Sequence, residues 1–144
     1  MDNLWPPTFK EPKTLPPSKI LEEQLSYLPS LTGDKVYGEV EKLGMTSYSE
    51  HAKHDFRYVF KLKSKFIRHY SFSLFSFSHD VIYYPVTIKL DEEVAREINE
   101  DEVINVESED LFVKVLGVIL KSKRVDSVIT SIMRISPEDD PFGG

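Results

Sequence analysis

The sequence predicts an α+β domain: an N-terminal helix, a four-stranded antiparallel β-meander, and C-terminal helices packed on one face of the sheet. Two patterns predict it. Apolar residues alternate with polar ones from Asp55 to Lys63 and again from Tyr70 to Ile88, the period of half-buried strands. In the last third of the chain Val125, Val128, Ile129, Ile132 and Met133 recur at spacings of three and one, the period of a helix with one buried stripe.

Residues 1–17 contain Pro6, Pro7, Pro12, Pro16 and Pro17, which fix φ and remove donors, so an extended arm is expected. Trp5 and Phe9 are too apolar for a solvated tail and are read as docking residues. A first helix is expected from Ser18, as N-cap, to Pro29, with Ile20, Leu21, Leu25 and Leu28 inward. Lys35 to Leu43 reads as a strand with Val36 and Val40 on one face and Glu39 and Glu41 on the other. The second strand, Asp55 to Lys63, turns Phe56, Tyr58, Phe60 and Leu62 inward and Arg57, Lys61 and Lys63 outward. In the third, the adjacent Leu74 and Phe75 break the alternation: either a β-bulge there keeps both aromatic sets on one face, which is the reading preferred, or the two ends of the strand bury opposite faces. A tight turn near Ser64 to Phe66 would set Phe60 opposite Tyr70 and Tyr58 opposite Phe72. After a His79-Asp80 turn, Ile82, Tyr84, Val86 and Ile88 read as the inward set of the fourth strand, and Pro85 marks that strand as an edge. Asp91 caps a short helix through Asn99. Val103 to Val106 is a fifth strand or a connector. Ser108 opens a helix carrying Leu111, Phe112, Val115, Leu116 and Ile119, with Lys121, Lys123 and Arg124 at its end. Ser136-Pro137 stops the last helix. The domain is therefore 18–136, preceded by the arm 1–17 and followed by an acidic tail, 137–144.

The chain has 144 residues and no cysteine, which excludes disulfides, thiolate nucleophiles and cysteine-held metals. No apolar stretch is long enough to span a bilayer and no basic-then-apolar leader opens the chain, so a soluble cytoplasmic protein without membrane contact is expected. The net charge of −6 is unevenly spread. Residues 53–68 hold six basic groups (Lys53, Arg57, Lys61, Lys63, Lys65, Arg68) against the single acid Asp55. Residues 91–110 hold ten acids against the single base Arg96.

Three constellations could carry chemistry. His51, His54, His79 and Asp80 can gather at one end of the sheet, a donor set suited to a transition metal and hence to a metal-dependent enzyme. Arg57, Lys61, Lys63, Lys65 and Arg68, beside Ser71 and Ser73, form a basic strip suited to nucleic-acid phosphates, with Phe75 and Phe77 as stacking platforms if they face outward. The acidic stretch 91–110 suits a basic protein partner, as in immunity proteins, where complementary charge speeds association. No cofactor motif is present.

The segments ILEEQ (20–24), LTGDKVYGEVE (31–41), FRYVFKL (56–62) and YSFSLFSFSHDVIYYPVTI (70–88) resemble a group of small uncharacterised bacterial proteins. The resemblance implies the fold and a bacterial cytoplasmic origin only, since the group carries no assigned function or catalytic residues. The tail PEDDPFGG resembles the acidic tips of bacterial single-stranded-DNA-binding proteins, although Gly143 and Gly144 follow Phe142 here. The sequence thus points to a non-enzymatic protein-interaction module of the accessory or immunity type found in bacterial defence and toxin systems. Trp5, Phe9 and Phe142 are its partner-binding candidates, and a homodimer through an edge strand or the arm is a further expectation. A nucleic-acid-binding module is the alternative and the histidine-cluster enzyme the third reading.

Overall fold

The computed structural model describes residues 1–44 and 55–139. Its elements run α1 (Pro17–Leu31), β1 (Val36–Leu43), β2 (Phe56–Ser64), β3 (Ser71–His79), β4 (Val86–Leu90), α2 (Glu92–Ile98), β5 (Val103–Val106), α3 (Glu109–Leu120) and α4 (Lys123–Met133), with a 3₁₀ turn at Pro137–Asp139. Among the described residues the sheet has five strands in the order β1-β2-β3-β4-β5, every neighbour antiparallel. Val103 to Val106 is thus a strand, one more than the four expected.

The bulge falls at Leu74 and Phe75. Phe60 pairs with Phe75 while Lys61 pairs with Ser73, so Leu74 is the extra residue on β3 and both it and Phe75 are buried. The expected pairing of Phe60 with Tyr70 and Tyr58 with Phe72 is replaced by stacked Phe60–Phe75 and Tyr58–Phe77 pairs, with ring centroids 5.2 and 5.0 Å apart. The shift comes from the connection. Ser64 stays in β2 and its hydroxyl accepts from Phe66 N (3.1 Å), while Tyr70 N donates to Ile67 O (3.2 Å), so residues 65–70 form a longer loop than the tight turn expected.

The fourth strand is also shorter than the alternation implies. It starts at Val86; Val81 and Ile82 are 75% and 76% exposed, and Tyr84-Pro85 is a cis peptide just before the strand. Pro85 therefore does not mark an edge: β4 lies between β3 and β5, and the edges are β1 and β5.

One sheet face is covered. Phe60, Leu62, Leu74, Phe77, Val86, Ile88 and Val106 meet Ile20 and Leu21 of α1, Val94 of α2, Phe112, Leu116 and Ile119 of α3, and Val125 and Ile132 of α4 in a single core. Burying such side chains contributes roughly 1.5–3 kcal/mol each. At β1, Gly38 lets α1 approach so closely that a Cβ there would lie 2.1 Å from Leu25 Cδ2.

The helix ends follow capping chemistry, with two corrections. Helix α1 begins at Pro17 with Pro16 at the N-cap, so Ser18 lies inside the first turn, and it runs past Pro29 to Leu31. Pro29 sits in the last turn, and its carbonyl accepts from Thr32 N and Asp34 N. Lys123 and Arg124 belong to the start of α4, after the Ser122 cap, and not to the end of α3. Asp91 Oδ2 accepts from Glu93 N and Val94 N (3.1 and 3.2 Å), and Ser108 Oγ from Leu111 N (3.3 Å), as the sequence implies. The positive end of α4 receives Glu97 of α2, whose carboxylate accepts from Lys123 N (2.7 Å) and Arg124 N (3.0 Å).

Candidate interaction surface

The three constellations read from the sequence are placed very differently. Of the histidine set, His51 and His54 lie outside the described residues. His79 pairs with Phe56 at the end of β3 and is 3% exposed, stacked on Phe56 and Tyr58 with centroids 5.6 and 5.7 Å away and edge-on to Tyr83. Its Nδ1 lies 2.7 Å from Asp80 O, and its Nε2 is buried without a hydrogen-bond partner among the described residues. The ring acts as an aromatic core residue here. Among the described residues no group of three or more His, Cys, Asp or Glu side chains is arranged to hold a metal ion.

The basic strip lies on the sheet face opposite the core, where Lys61 pairs with Ser73 and Lys63 with Ser71 across β2–β3. The antiparallel register also sets Glu41 and Glu39 of β1 beside these lysines, and the structure joins Lys61 to Glu41 and Lys63 to Glu39 as ion pairs. The Lys61 ammonium holds the Glu41 carboxyl below its usual range, and the Glu39 carboxylate raises Lys63 above its own. Two of the five strip cations are thus partnered within the sheet. Arg57 is half-buried, Lys65 and Arg68 are exposed, and Lys65 Nζ lies 5.9 Å from the Phe66 ring. Phe75 and Phe77 are buried and offer no stacking platform.

The acidic stretch is partnered at α2, where Arg124 meets Asp91 and Glu93 (3.4 and 3.1 Å) and Arg96 meets Glu92 (3.0 Å), and is exposed further on. It spans α2, β5 and the start of α3, and Glu100, Asp101, Glu102, Glu107 and Asp110 are exposed. Two clefts lie on either side of the β5–α3 turn. The larger, of about 630 Å³, is bounded by Val81, Ile82, Tyr83 and Tyr84 of the β3–β4 loop, by Glu107 to Asp110, and by Pro12 and Thr14 of the arm. The smaller, of about 410 Å³, lies between β5 and α3, with Ile104, Leu111, Val115 and Val118 in its wall. Helix α3 is apolar nearly all round: Phe112, Leu116 and Ile119 face the core, whereas Leu111, Val113 and Val118 are 45%, 51% and 52% exposed.

The arm is hydrogen-bonded to this surface through Leu15. Leu15 N donates to Glu109 Oε1 and Leu15 O accepts from Tyr84 Oη, both at 3.0 Å. Burial, with the Glu109 carboxylate beside it, pushes the Tyr84 phenol up to about 12. Trp5 and Phe9 are each 73% exposed and touch one another edge-on at 6.0 Å. Phe142 lies outside the described residues. Sequence reasoning missed Ile82 and Leu111, because apolar residues in a periodic pattern read as core, and gave Val81 and Val118 no role. The one available signal was that α3 has more apolar positions than a single buried stripe needs.

No helix among the described residues is long and apolar enough to cross a membrane. No family model, curated protein or solved structure matches the chain.

Proposed function

We propose that this chain is a non-enzymatic interaction module whose acidic and apolar surface, around the β5–α3 turn, docks a basic protein partner. The observation that carries it is the coincidence of two clefts and exposed apolar side chains with a segment of ten acids against one base. Such a surface combines an apolar contact, which holds a complex together, with a field that steers an oppositely charged partner. An immunity-type or accessory subunit of a bacterial defence or toxin system is the specific form of this reading.

The test is capture of the native partner from the host, followed by association kinetics against salt. Reversing charge with Glu107→Lys and Asp110→Lys is expected to slow association about tenfold or more at low salt, with the difference shrinking as salt screens it. An Arg57→Glu, Lys65→Glu variant is expected to associate at the parent rate or faster. Capture of nuclease-sensitive material that responds to Arg57 and Lys65 would transfer the function to the basic strip.

A further inference from the structure

We infer that the free edge of β5 accepts an extended, basic segment of the partner as a sixth strand. The inference rests on the interaction-module reading and names its chemistry. On one side β5 pairs with β4, and among the described residues no strand pairs with its other side. Leu90 N donates to Glu102 O, which makes Leu90 and Glu102 a hydrogen-bonded pair of the β4–β5 ladder. Antiparallel ladders alternate, so the backbone of Ile104 and Val106 faces β4 and that of Val103 and Asn105 faces away. The outward row of donors and acceptors is thus carried by residues whose loss does not touch the β4 ladder.

Beside that row lies the smaller cleft. An added strand would turn alternate side chains onto Leu111, Val115 and Val118, giving the apolar side of α3 the cover it lacks. The charge of the surroundings selects the occupant. Glu100, Asp101 and Glu102 lead into β5 and Glu107 follows it, all exposed, with Lys114 the one cation among the described residues of the cleft wall. A second copy paired antiparallel at β5 would set Asp101 and Glu102 of one chain against Glu107 of the other, and like charges opposed across strands are destabilising. A strand bearing lysine or arginine between apolar residues meets both the carboxylates and α3.

The probe is a synthetic peptide of about seven residues alternating valine with lysine, compared with a valine–glutamate peptide of equal length. The lysine peptide is expected to bind the full chain and to slow hydrogen exchange at the Val103 and Asn105 amides. Val103→Pro removes an outward donor at a position where an edge strand tolerates proline, and is expected to weaken binding about tenfold with the thermal melt unchanged. Leu111→Ser, away from the backbone row, should weaken it as well. Equal binding of the glutamate peptide, no binding of the lysine peptide, or undiminished binding by both variants overturns the inference. So does a dimer in light scattering whose Val103 and Asn105 amides are protected before peptide is added. Strand addition fails alone if these results appear while Glu107→Lys and Asp110→Lys still slow the native partner; if charge reversal also has no effect, the wider reading fails with it.

Discussion

β1 and β5 are both edge strands, yet β1 has eight residues and β5 four, and the chain treats them differently. At β1 the core face is closed by α1, with Leu25 seated over Gly38. The other face of β1 points Glu39 and Glu41 at Lys63 and Lys61. The charges there are spent inside the sheet. Around β5 the acids point outward, and its neighbouring helix keeps Leu111 and Val118 about half exposed. Natural sheets blunt a long edge with charge and cover and keep an unprotected edge short. Charge is therefore informative about partners only after the register shows what it already faces. The basic strip is partly consumed by β1. The acidic stretch is consumed at α2, where Asp91 and Glu93 meet Arg124, Glu92 meets Arg96 and Glu97 caps α4, while Glu100, Asp101, Glu102, Glu107 and Asp110 around β5 stay exposed.

The contrast breaks first if α3 does not have two unlike faces. Phe112 is fully buried, with ring centroids 6.4 Å from Phe77 and 6.3 Å from Tyr84, while its neighbour Leu111 is 45% exposed. Phe112→Ala is expected to lower the unfolding free energy by about 3–5 kcal/mol, and Leu111→Ser to change it by no more than about 0.5 kcal/mol. Urea denaturation of the two variants measures both. Similar losses would mean that Leu111 already belongs to the core and that the β5 side is as closed as the β1 side.

The closed edge has its own test. A Cβ at Gly38 would lie 2.1 Å from Leu25 Cδ2, 3.1 Å from Cγ and 3.2 Å from Cδ1, so the whole end of Leu25 must move. Gly38→Val is expected to cost about 1–3 kcal/mol through overpacking of α1 on β1. Adding Leu25→Ala vacates the space, so the double variant should lose less than the sum of the single ones. Strict additivity in equilibrium unfolding would show that α1 does not seal this edge.

How much of this was legible follows from particular residues. The bulge was, because the adjacent pair Leu74-Phe75 cannot satisfy a period of two on one face. The register across β2–β3 was not. It depends on the loop 65–70, where the Ser64 hydroxyl bonds to Phe66 N, and a side-chain-to-backbone bond leaves no trace in an alternation. Ile82 and Tyr84 mimic strand alternation while standing in a loop, so the extra strand length assigned there was an accident of spacing. Glu39, Glu41, Lys61 and Lys63 were rightly assigned to outward faces. Their cancellation appears only once β1 and β2 are aligned. The acidic stretch was legible as charge, but the two clefts beside it need Val81 and Leu111 in space.

The smallest effect tests how the arm is tied to the open side. Leu15 is held by Tyr84 Oη and by the Glu109 carboxylate, and the tie needs the phenol protonated so that it can donate. The Tyr84 phenol is raised from 10.0 to about 12 by burial and by Glu109. Below pH 10 it is protonated in both folded and unfolded chains, and its contribution is fully present. Between pH 10 and about 12 the unfolded chain releases this proton more readily than the folded one, so the contribution falls as pH rises and is lost once the folded group titrates. The phenolate would then face the Leu15 carbonyl and the Glu109 carboxylate, which repel it. Trp5, the single tryptophan, reports on the arm. Its fluorescence anisotropy is expected to fall through this pH interval, and in Tyr84→Phe to be low already at neutral pH, with global stability changed by about 1 kcal/mol or less. An anisotropy that is the same in parent and variant at every pH would show that the arm is not held at Leu15, and that the larger cleft is bounded without it.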